Sequence, residues 1–260
     1  MRGTLRGMSL GLPTIPARDV RLLALQWWVS LLFFPFVAAV AIVWLRGVKR
    51  LSLRDAAGVR GRFRSLVGNA RGPVLICCNH LTMIDSVVLN WAIAPMRWYL
   101  RHYDRLPWSV PEKTNFSRTL FWRVASFLGK SVYVTRGGPR EEVKRTLGRI
   151  AHLLRSGELV CIFPEGGRSR SGRVDTEGFA YGAGQVVQSV PGTSVLCIYM
   201  RGRLQHGYTD LPVTDDEYEL DFELFEPVTA AAGLRGARDI ATQIIHRLAA
   251  MEERHLAARQ

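Results

Sequence analysis

A long uncharged segment near the N-terminus constrains this chain more than any other feature. From Leu22 to Leu45 no side chain carries a charge, and Leu, Val, Phe and Trp predominate. As a helix, these 24 residues would extend about 36 Å, which exceeds the roughly 30 Å hydrocarbon core of a bilayer. Trp27 and Trp28 lie near its start and Trp44 near its end, as in interfacial anchoring. The segment predicts a membrane-inserted helix.

Other interpretations of this segment compete with that one. A secretory signal peptide is disfavoured, because the apolar run is long and Trp44-Leu45-Arg46 offers no small-residue cleavage site. A buried core helix is the second alternative, although it would be unusually apolar. Pro35, near the middle, allows either a kinked spanning helix or a re-entrant hairpin.

Basic residues flank the segment unevenly. Two arginines precede it, and a denser group of four cations follows it: Arg46, Lys49, Arg50 and Arg54. The positive-inside rule then places the rest of the chain in the cytoplasm, on the inner (cytoplasmic) membrane. We expect residues 1–50 to form an N-terminal tail and membrane anchor, and residues 51–260 to form one folded domain.

The chain is strongly basic, with 35 Lys and Arg against 22 Asp and Glu and a formal net charge of +13. This charge favours phosphate-rich partners, either nucleic acid or an anionic membrane. No nucleic-acid-binding motif is present, so membrane lipids are the expected partner and nucleic acid is not. The four cysteines lie in apolar runs without a C-x-x-C pair, which predicts buried reduced thiols and no metal site.

After the anchor, short apolar runs alternate with helical patterns. The expected strands are 73–78, 97–101, 132–135, 159–163, 195–200 and 219–225. The expected helices are 52–67, 84–91, 120–128, 140–155, 179–188 and 240–251. This alternation predicts an α/β fold, a largely parallel mixed sheet flanked by helices, behind the N-terminal membrane-inserted helical segment.

His80 directly follows a predicted buried strand, and Asp85 falls five residues later in the first turn of a helix. A carboxylate bonded to one imidazole nitrogen fixes the tautomer and leaves the other nitrogen free as a base. The same residues also fit a structural role, because Thr82 to Asp85 reads as a helix capping box. The spacing alone supports both interpretations equally, and the two roles are compatible.

A second polar segment, Glu165 to Gly172, follows another predicted strand. Gly166 and Gly167 allow the backbone to approach a ligand closely, and Arg168 supplies a guanidinium that pairs with phosphate oxygens. Arg136 follows the predicted strand 132–135 and would add a further cation. The alternative is a solvated basic loop in which Glu165 bridges one arginine.

Three blocks in order give the chain a specific resemblance. Asn79-His80 with Asp85, then Gly129 to Arg136, then Phe163 to Ser169 resemble three motifs of the glycerolipid acyltransferase family, typified by bacterial 1-acyl-sn-glycerol-3-phosphate acyltransferases. The likeness covers roughly residues 74–200. It implies that His80 is the general base and that Asp85 orients it.

The same resemblance assigns substrate-binding residues. It places Arg136, Glu165, Gly166 and Arg168 around the phosphate and glycerol end of the acceptor, and it suggests the same for Lys113. The implied reaction moves a fatty-acyl group from an acyl thioester, carried by acyl carrier protein (ACP) or coenzyme A (CoA), to the free hydroxyl of a lysophospholipid, foremost lysophosphatidate. The acyl thioester is a co-substrate, and no cofactor is expected.

Two departures from the family pattern concern the acceptor. Gly167 stands where a threonine is common, and the segment Ser194 to Tyr199 lacks the usual prolines. They leave open the same chemistry on another acceptor, such as an ornithine lipid or an aryl-polyene-type lipid. A non-enzymatic, membrane-tethered anion or nucleic-acid binder is the remaining alternative, supported by the net charge alone.

Overall fold

The N-terminal apolar segment forms one long helix. A computed structural model describes residues 12–259, in which α1 spans Ala17–Val43 and a π-helical turn, Trp44–Val48, continues it. Pro35 lies inside α1 and does not break it, so the re-entrant hairpin is wrong. The combined 32-residue helix is long and apolar enough to anchor the protein in a membrane. Most of the expected N-terminal tail, residues 1–11, lies outside the described residues.

The centre of the molecule is a six-stranded sheet with the order β1-β6-β5-β2-β4-β3. The strands are β1 Ser52–Leu53, β2 Val74–Cys78, β3 Trp108–Ser109, β4 Val160–Ile162, β5 Ser194–Gly202 and β6 Glu217–Phe225. All neighbouring pairs run parallel except β5 and β6. The predicted α/β fold with a largely parallel mixed sheet is confirmed.

Helices cover both faces of the sheet. They are α2 Ala56–Asn69, α3 Asp85–Ile93, α4 Met96–Tyr99, α5 Lys113–Phe116, α6 Leu120–Leu128, α7 Arg140–Arg155, α8 Gly182–Ser189 and α9 Gly233–Ala257. Alternate residues of β2 enter separate cores, because successive strand side chains point to opposite faces. Leu75 and Cys77 pack with residues of α7, α8 and α9, whereas Ile76 and Cys78 pack with residues of α2 and α3. All four cysteines are buried free thiols, as predicted.

Two predicted strands are wrong in detail. Residues 97–99 belong to the short helix α4, which Pro95 precedes and which buries the Tyr99 ring in the core, and residues 100–101 form the turn after it. Residues 132–135 do not form a strand: Val134 makes an isolated parallel bridge to Glu112, and Ser131, just before them, makes another to Ser109. β3 itself has two residues, too few for hydrophobic alternation to reveal it.

One face of α1 is bound to the rest of the protein through polar side chains. The Gln26 amide donates to the carbonyls of Phe127 and Ser131 at 3.0 and 3.1 Å. The Trp27 indole donates to Glu158, whose carboxylate also accepts from Trp108 and from the fully buried Lys130. The opposite face exposes large apolar side chains, among them Leu22, Leu25, Trp28, Leu32 and Phe36.

Candidate active site

His80 and Asp85 meet where β2 ends. The Nδ1 atom of His80 lies 3.0 Å from Oδ2 of Asp85, and Asp85 is 3% exposed. The same oxygen accepts the backbone N–H groups of Leu81 and Thr82 at 2.6 and 2.8 Å. Since a carboxylate only accepts hydrogen bonds, Nδ1 carries the proton and Nε2 is the basic nitrogen.

The local geometry combines the two roles that the spacing allowed. The residue preceding α3 is Ile84, which has no capping side chain, so Thr82 is not the N-cap of the expected capping box. The Thr82 hydroxyl instead donates to Oδ1 of Asp85 at 2.5 Å. Asp85 therefore closes a tight turn and orients the imidazole at the same time.

The loop after β4 is fastened to His80 on several sides. The Phe163 ring stacks on the imidazole with centroids 4.2 Å apart and planes 20° apart. The His80 backbone N–H donates to Oε1 of Glu165 at 2.8 Å, and the Ser169 N–H donates to the His80 carbonyl at 2.8 Å. These contacts hold the imidazole between β2 and the loop.

Glu165 faces the backbone of His80, and its second oxygen accepts the Asp175 N–H at 3.4 Å. It is 6% exposed and does not line the cavity described below. Burial raises the pKa of the Glu165 carboxyl to about 7. Gly166 turns the chain with φ +67°, and a Cβ there would lie 3.1 Å from Cβ of Ala180, so this turn requires glycine.

Two arginines from different loops lie beside His80 at the cavity. Nε of Arg136 is 3.3 Å from Oε2 of Glu112, and burial lowers the pKa of this guanidinium. Arg168 pairs with Asp210 and lies over the Tyr208 ring at 4.8 Å. A Cβ added to Gly167 would lie 3.7 Å from Nη1 of Arg136, so the loop brings Gly167 next to that cation.

Sequence reasoning selected Lys113 and missed its neighbour. The Lys113 amine is exposed, pairs with Glu142 at 3.1 Å and does not line the cavity. Glu112 does line it, accepts the Arg136 N–H at 3.1 Å and is nearly buried. The available signal is a carboxylate four residues after Trp108, but the two-residue strand β3 before it is too short to stand out in the sequence.

A cavity of about 390 Å³ opens from His80 between α1, α3 and α6. One face of α3 and the turn before it forms a wall, and apolar residues of α1 form another. The wall residues from α1 are Phe34, Val37, Ala38, Ala41 and Ile42. The aromatic side chains of Trp91, Tyr99 and Trp122 also line the cavity. The cavity joins a basic nitrogen, the guanidinium groups of Arg136 and Arg168 beside it, and an apolar space, and Arg46 and Arg60 also line it.

A model of the acyltransferase family matches residues 60–213, which is more than half of the chain. The chain belongs to the glycerolipid acyltransferase family. As a member of this family of 1-acyl-sn-glycerol-3-phosphate acyltransferases, it is an acyltransferase. The matched range includes His80, Asp85, Arg136 and the loop at Glu165. No curated protein matches the acyltransferase in a direct sequence search.

Proposed function

We propose that this acyltransferase moves a fatty-acyl group from an acyl thioester to the free hydroxyl of lysophosphatidate, giving phosphatidate. The observation that carries this proposal is the position of His80. Its Nδ1 is bonded to Asp85, and the residue lines a cavity shared with Arg136 and Arg168. A base next to two cations suits a hydroxyl on a phosphorylated acceptor.

The chemistry follows from the free imidazole nitrogen. Nε2 of His80 takes the proton of the acceptor hydroxyl, and the oxygen attacks the thioester carbonyl carbon. A C–O bond forms, the C–S bond breaks, and the imidazolium returns its proton to the departing sulfur. Asp85 stabilises the imidazolium through Nδ1. General-base catalysis of this kind contributes about 10²- to 10⁴-fold in rate.

The remaining site residues bind the acceptor or position those that do. Arg136 and Arg168 bind the phosphate, and Glu112 orients Arg136 through its side chain and backbone N–H. Glu165 and Gly166 shape the loop that carries Arg168. Glu165 does so by accepting the His80 backbone N–H, and Gly166 by turning the chain. Lys113 lies outside the cavity and would meet only a headgroup that extends beyond it.

The apolar walls from α1 and α6 give the acyl chain a place to lie. The α1 wall supports a reaction at the membrane surface, because α1 is also the apolar helix with an exposed lipid-compatible face. We assign the enzyme to the cytoplasmic side of the inner membrane on the basis of the basic residues after α1.

A second acceptor class is favoured by one observation. Gly167 leaves open space beside Arg136, where a threonine side chain would add a hydroxyl. A larger or unphosphorylated polar headgroup, such as that of an ornithine lipid, would fit there by the same chemistry.

The test is acyl transfer by the purified full-length chain in neutral detergent, with product lipids identified by mass spectrometry. Acyl-CoA and acyl-ACP are offered with lysophosphatidate and with unphosphorylated hydroxylated lipids. Phosphatidate as the main product supports the proposal, and its absence with clear turnover of another acceptor overturns the lysophosphatidate assignment. Transfer retained by His80→Ala would overturn the mechanism.

A further inference from the structure

A cleft lined by arginines lies at the far end of the cavity from the catalytic histidine. Four arginines line it together with Trp98: Arg60 and Arg64 from α2, and Arg97 and Arg101 from α4 and the residues after it. We call this surface the arginine cleft. It encloses about 550 Å³, within the usual range of small-molecule sites.

The positive charge of the arginine cleft is not balanced by acidic residues. Within residues 12–259, none of its four guanidinium groups lies within salt-bridge distance of a carboxylate. Arg60 donates instead to the carbonyls of Trp91 and Ala92, both at 3.3 Å. Burial, with Arg46, Arg97 and Arg64 nearby, lowers the pKa of Arg60.

The neighbouring arginines behave differently. In the turn before α2, Arg54 pairs with Glu219 at 2.6 Å, and on α2 itself Arg62 pairs with Asp221 at 3.3 Å. The helix α2 therefore carries one arginine with an acidic partner, Arg62, and two cleft arginines, Arg60 and Arg64, with none among the described residues. Mutually repelling cations around a concave surface favour a bound polyanion.

The arginine cleft lies next to the active-site cavity. Arg60 and Pro95 line both of them. Between the two sites the cavity follows α3, where Val87, Trp91 and Ala94 recur at helical spacing on its wall. The nine residues of α3 extend about 13 Å, from Asp85 at the His80 end to Ile93 beside Pro95.

We propose that the arginine cleft binds the phosphorylated adenosine end of a CoA thioester, whose pantetheine arm follows α3 to His80. This inference rests on the proposed function, which requires an acyl-thioester donor. The arm has about as many chain atoms as four extended residues, or about 14 Å, which matches the length of α3. The three phosphate groups of CoA meet the four guanidinium groups of the cleft.

The shape of the cleft favours CoA over a carrier protein. A carrier protein presents a convex acidic surface and a single phosphodiester, which suits a flat basic surface. The arginine cleft is concave and nucleotide-sized, with the partly buried Trp98 in its lining. Bidentate guanidinium contacts are a typical means of binding phosphate groups. One face of the Trp98 indole already stacks on His102, with ring centroids 4.8 Å apart, so the arginines supply the main contacts.

Binding of CoA itself tests the proposal without any reaction. Titration calorimetry on the full-length chain in neutral detergent gives the Kd of CoA for the parent protein and for Arg64→Ala and Arg97→Ala. Each substitution is expected to weaken binding about tenfold or more, because each removes a charge-assisted hydrogen bond. The matched control is Arg71→Ala, an exposed arginine in the turn after α2 and outside the cleft, which should leave Kd unchanged.

Three results would overturn the proposal. The first is a CoA Kd that does not change in either cleft variant. The second is loss of ACP binding in these variants with CoA binding intact, which would assign the cleft to a carrier protein. The third is weaker binding to phosphatidylglycerol vesicles with CoA binding intact, which would assign it to lipid headgroups. Repeating the CoA titration on His80→Ala distinguishes failure of this proposal from failure of the proposed reaction. CoA binding does not need the base, so this variant should bind CoA like the parent protein.

Discussion

The carboxylate of Asp85 binds His80 Nδ1 at 3.0 Å while it also accepts the two backbone N–H groups that follow His80. A single side chain thus fixes both the imidazole tautomer and the turn that carries the imidazole. The geometry makes Asp85 a positioning residue. Changes at His80 and at Asp85 are therefore expected to have different effects on activity and on stability.

Replacing His80 by Ala should remove most activity and little stability. In the proposed mechanism the imidazole supplies the base, while the turn is held by Asp85 and by backbone groups that remain. We expect kcat to fall by about 10²- to 10⁴-fold, measured by transfer of a radiolabelled acyl group. His246→Ala, an exposed histidine on α9, is the control and should keep full activity. An equal fall of activity in both variants would contradict the assignment.

Replacing Asp85 by Asn should reduce both activity and stability. The amide group of Asn brings its own N–H donors to a place where the carboxylate accepts from three neighbours. We expect a loss of at least about 10²-fold in kcat and about 1–3 kcal/mol in the free energy of unfolding. Thermal unfolding in detergent and steady-state kinetics measure the two effects, and an unchanged Tm would argue against the turn-closing role.

Glu165 should make the stability of the protein depend on pH near neutrality. Its carboxyl pKa is raised from 4.5 to about 7 in the folded protein, so the folded state binds more protons than the unfolded state between these values. The free energy of unfolding should therefore fall as pH rises from 4.5 to 7, by about 3 kcal/mol. Glu165→Gln keeps an acceptor for the His80 N–H and should abolish this fall.

Denaturant unfolding at a series of pH values measures the Glu165 effect. Glu177→Gln, a change at an exposed acid in the same region, should leave the pH dependence as it is in the parent protein. If the free energy of unfolding falls with pH as much in Glu165→Gln as in the parent protein, another group is responsible for the fall.

Replacing Gly167 by Thr should change acceptor preference without harming the fold. A Cβ at this position would make an ordinary contact, 3.7 Å from Nη1 of Arg136, and the position does not need a left-handed backbone. The added hydroxyl narrows the space beside Arg136, the proposed phosphate-binding cation, so we expect kcat/KM for lysophosphatidate to rise severalfold relative to larger headgroups. Competition between two acceptors in one assay measures the ratio, and an unchanged ratio would remove Gly167 from the specificity argument.

Breaking the Lys130–Glu158 pair should be costly. Lys130 Nζ is 2.6 Å from Oε2 of Glu158, is 0% exposed, and also donates to the carbonyls of Tyr103 and Leu106. Lys130→Met leaves the Glu158 carboxylate without its cation, and we expect the free energy of unfolding to fall by about 3–5 kcal/mol. The exposed pair Lys144–Glu141 is the control, where Lys144→Met should cost under about 1 kcal/mol. Similar losses in both variants would contradict a buried, coupled pair.

Local spacing explains why part of the site was predictable. His80 and Asp85 are five residues apart at the start of a helix, so short-range geometry brings them together. Arg168 follows β4, and Arg136 follows a segment that runs parallel to the residues after β3, so both are expected near one edge of the sheet. Resemblance to the family added the roles, which geometry alone does not assign.

The missed features depend on contacts between distant segments. Glu112 reaches Arg136 only because residues 109–113 pair with 131–134 at the sheet edge, and neither segment has the length of a typical strand. Residues 97–101 contain a short apolar run like that of a strand, but Tyr99 is buried within the short helix α4 that follows Pro95. Gln26 looked incidental in an apolar segment until its two carbonyl partners, a hundred residues away, were placed.

The polar face of α1 has a practical consequence for making a detergent-free form of the enzyme. Deleting the helix would expose the carbonyls bound by Gln26 and would take one indole from the Glu158 carboxylate. Redesign of the outward face, at positions such as Leu25, Trp28 and Leu32, leaves those contacts intact. The outward face of α1 can therefore be redesigned for solubility, whereas its inward face, with Gln26 and Trp27, has to be kept as part of the folded interior.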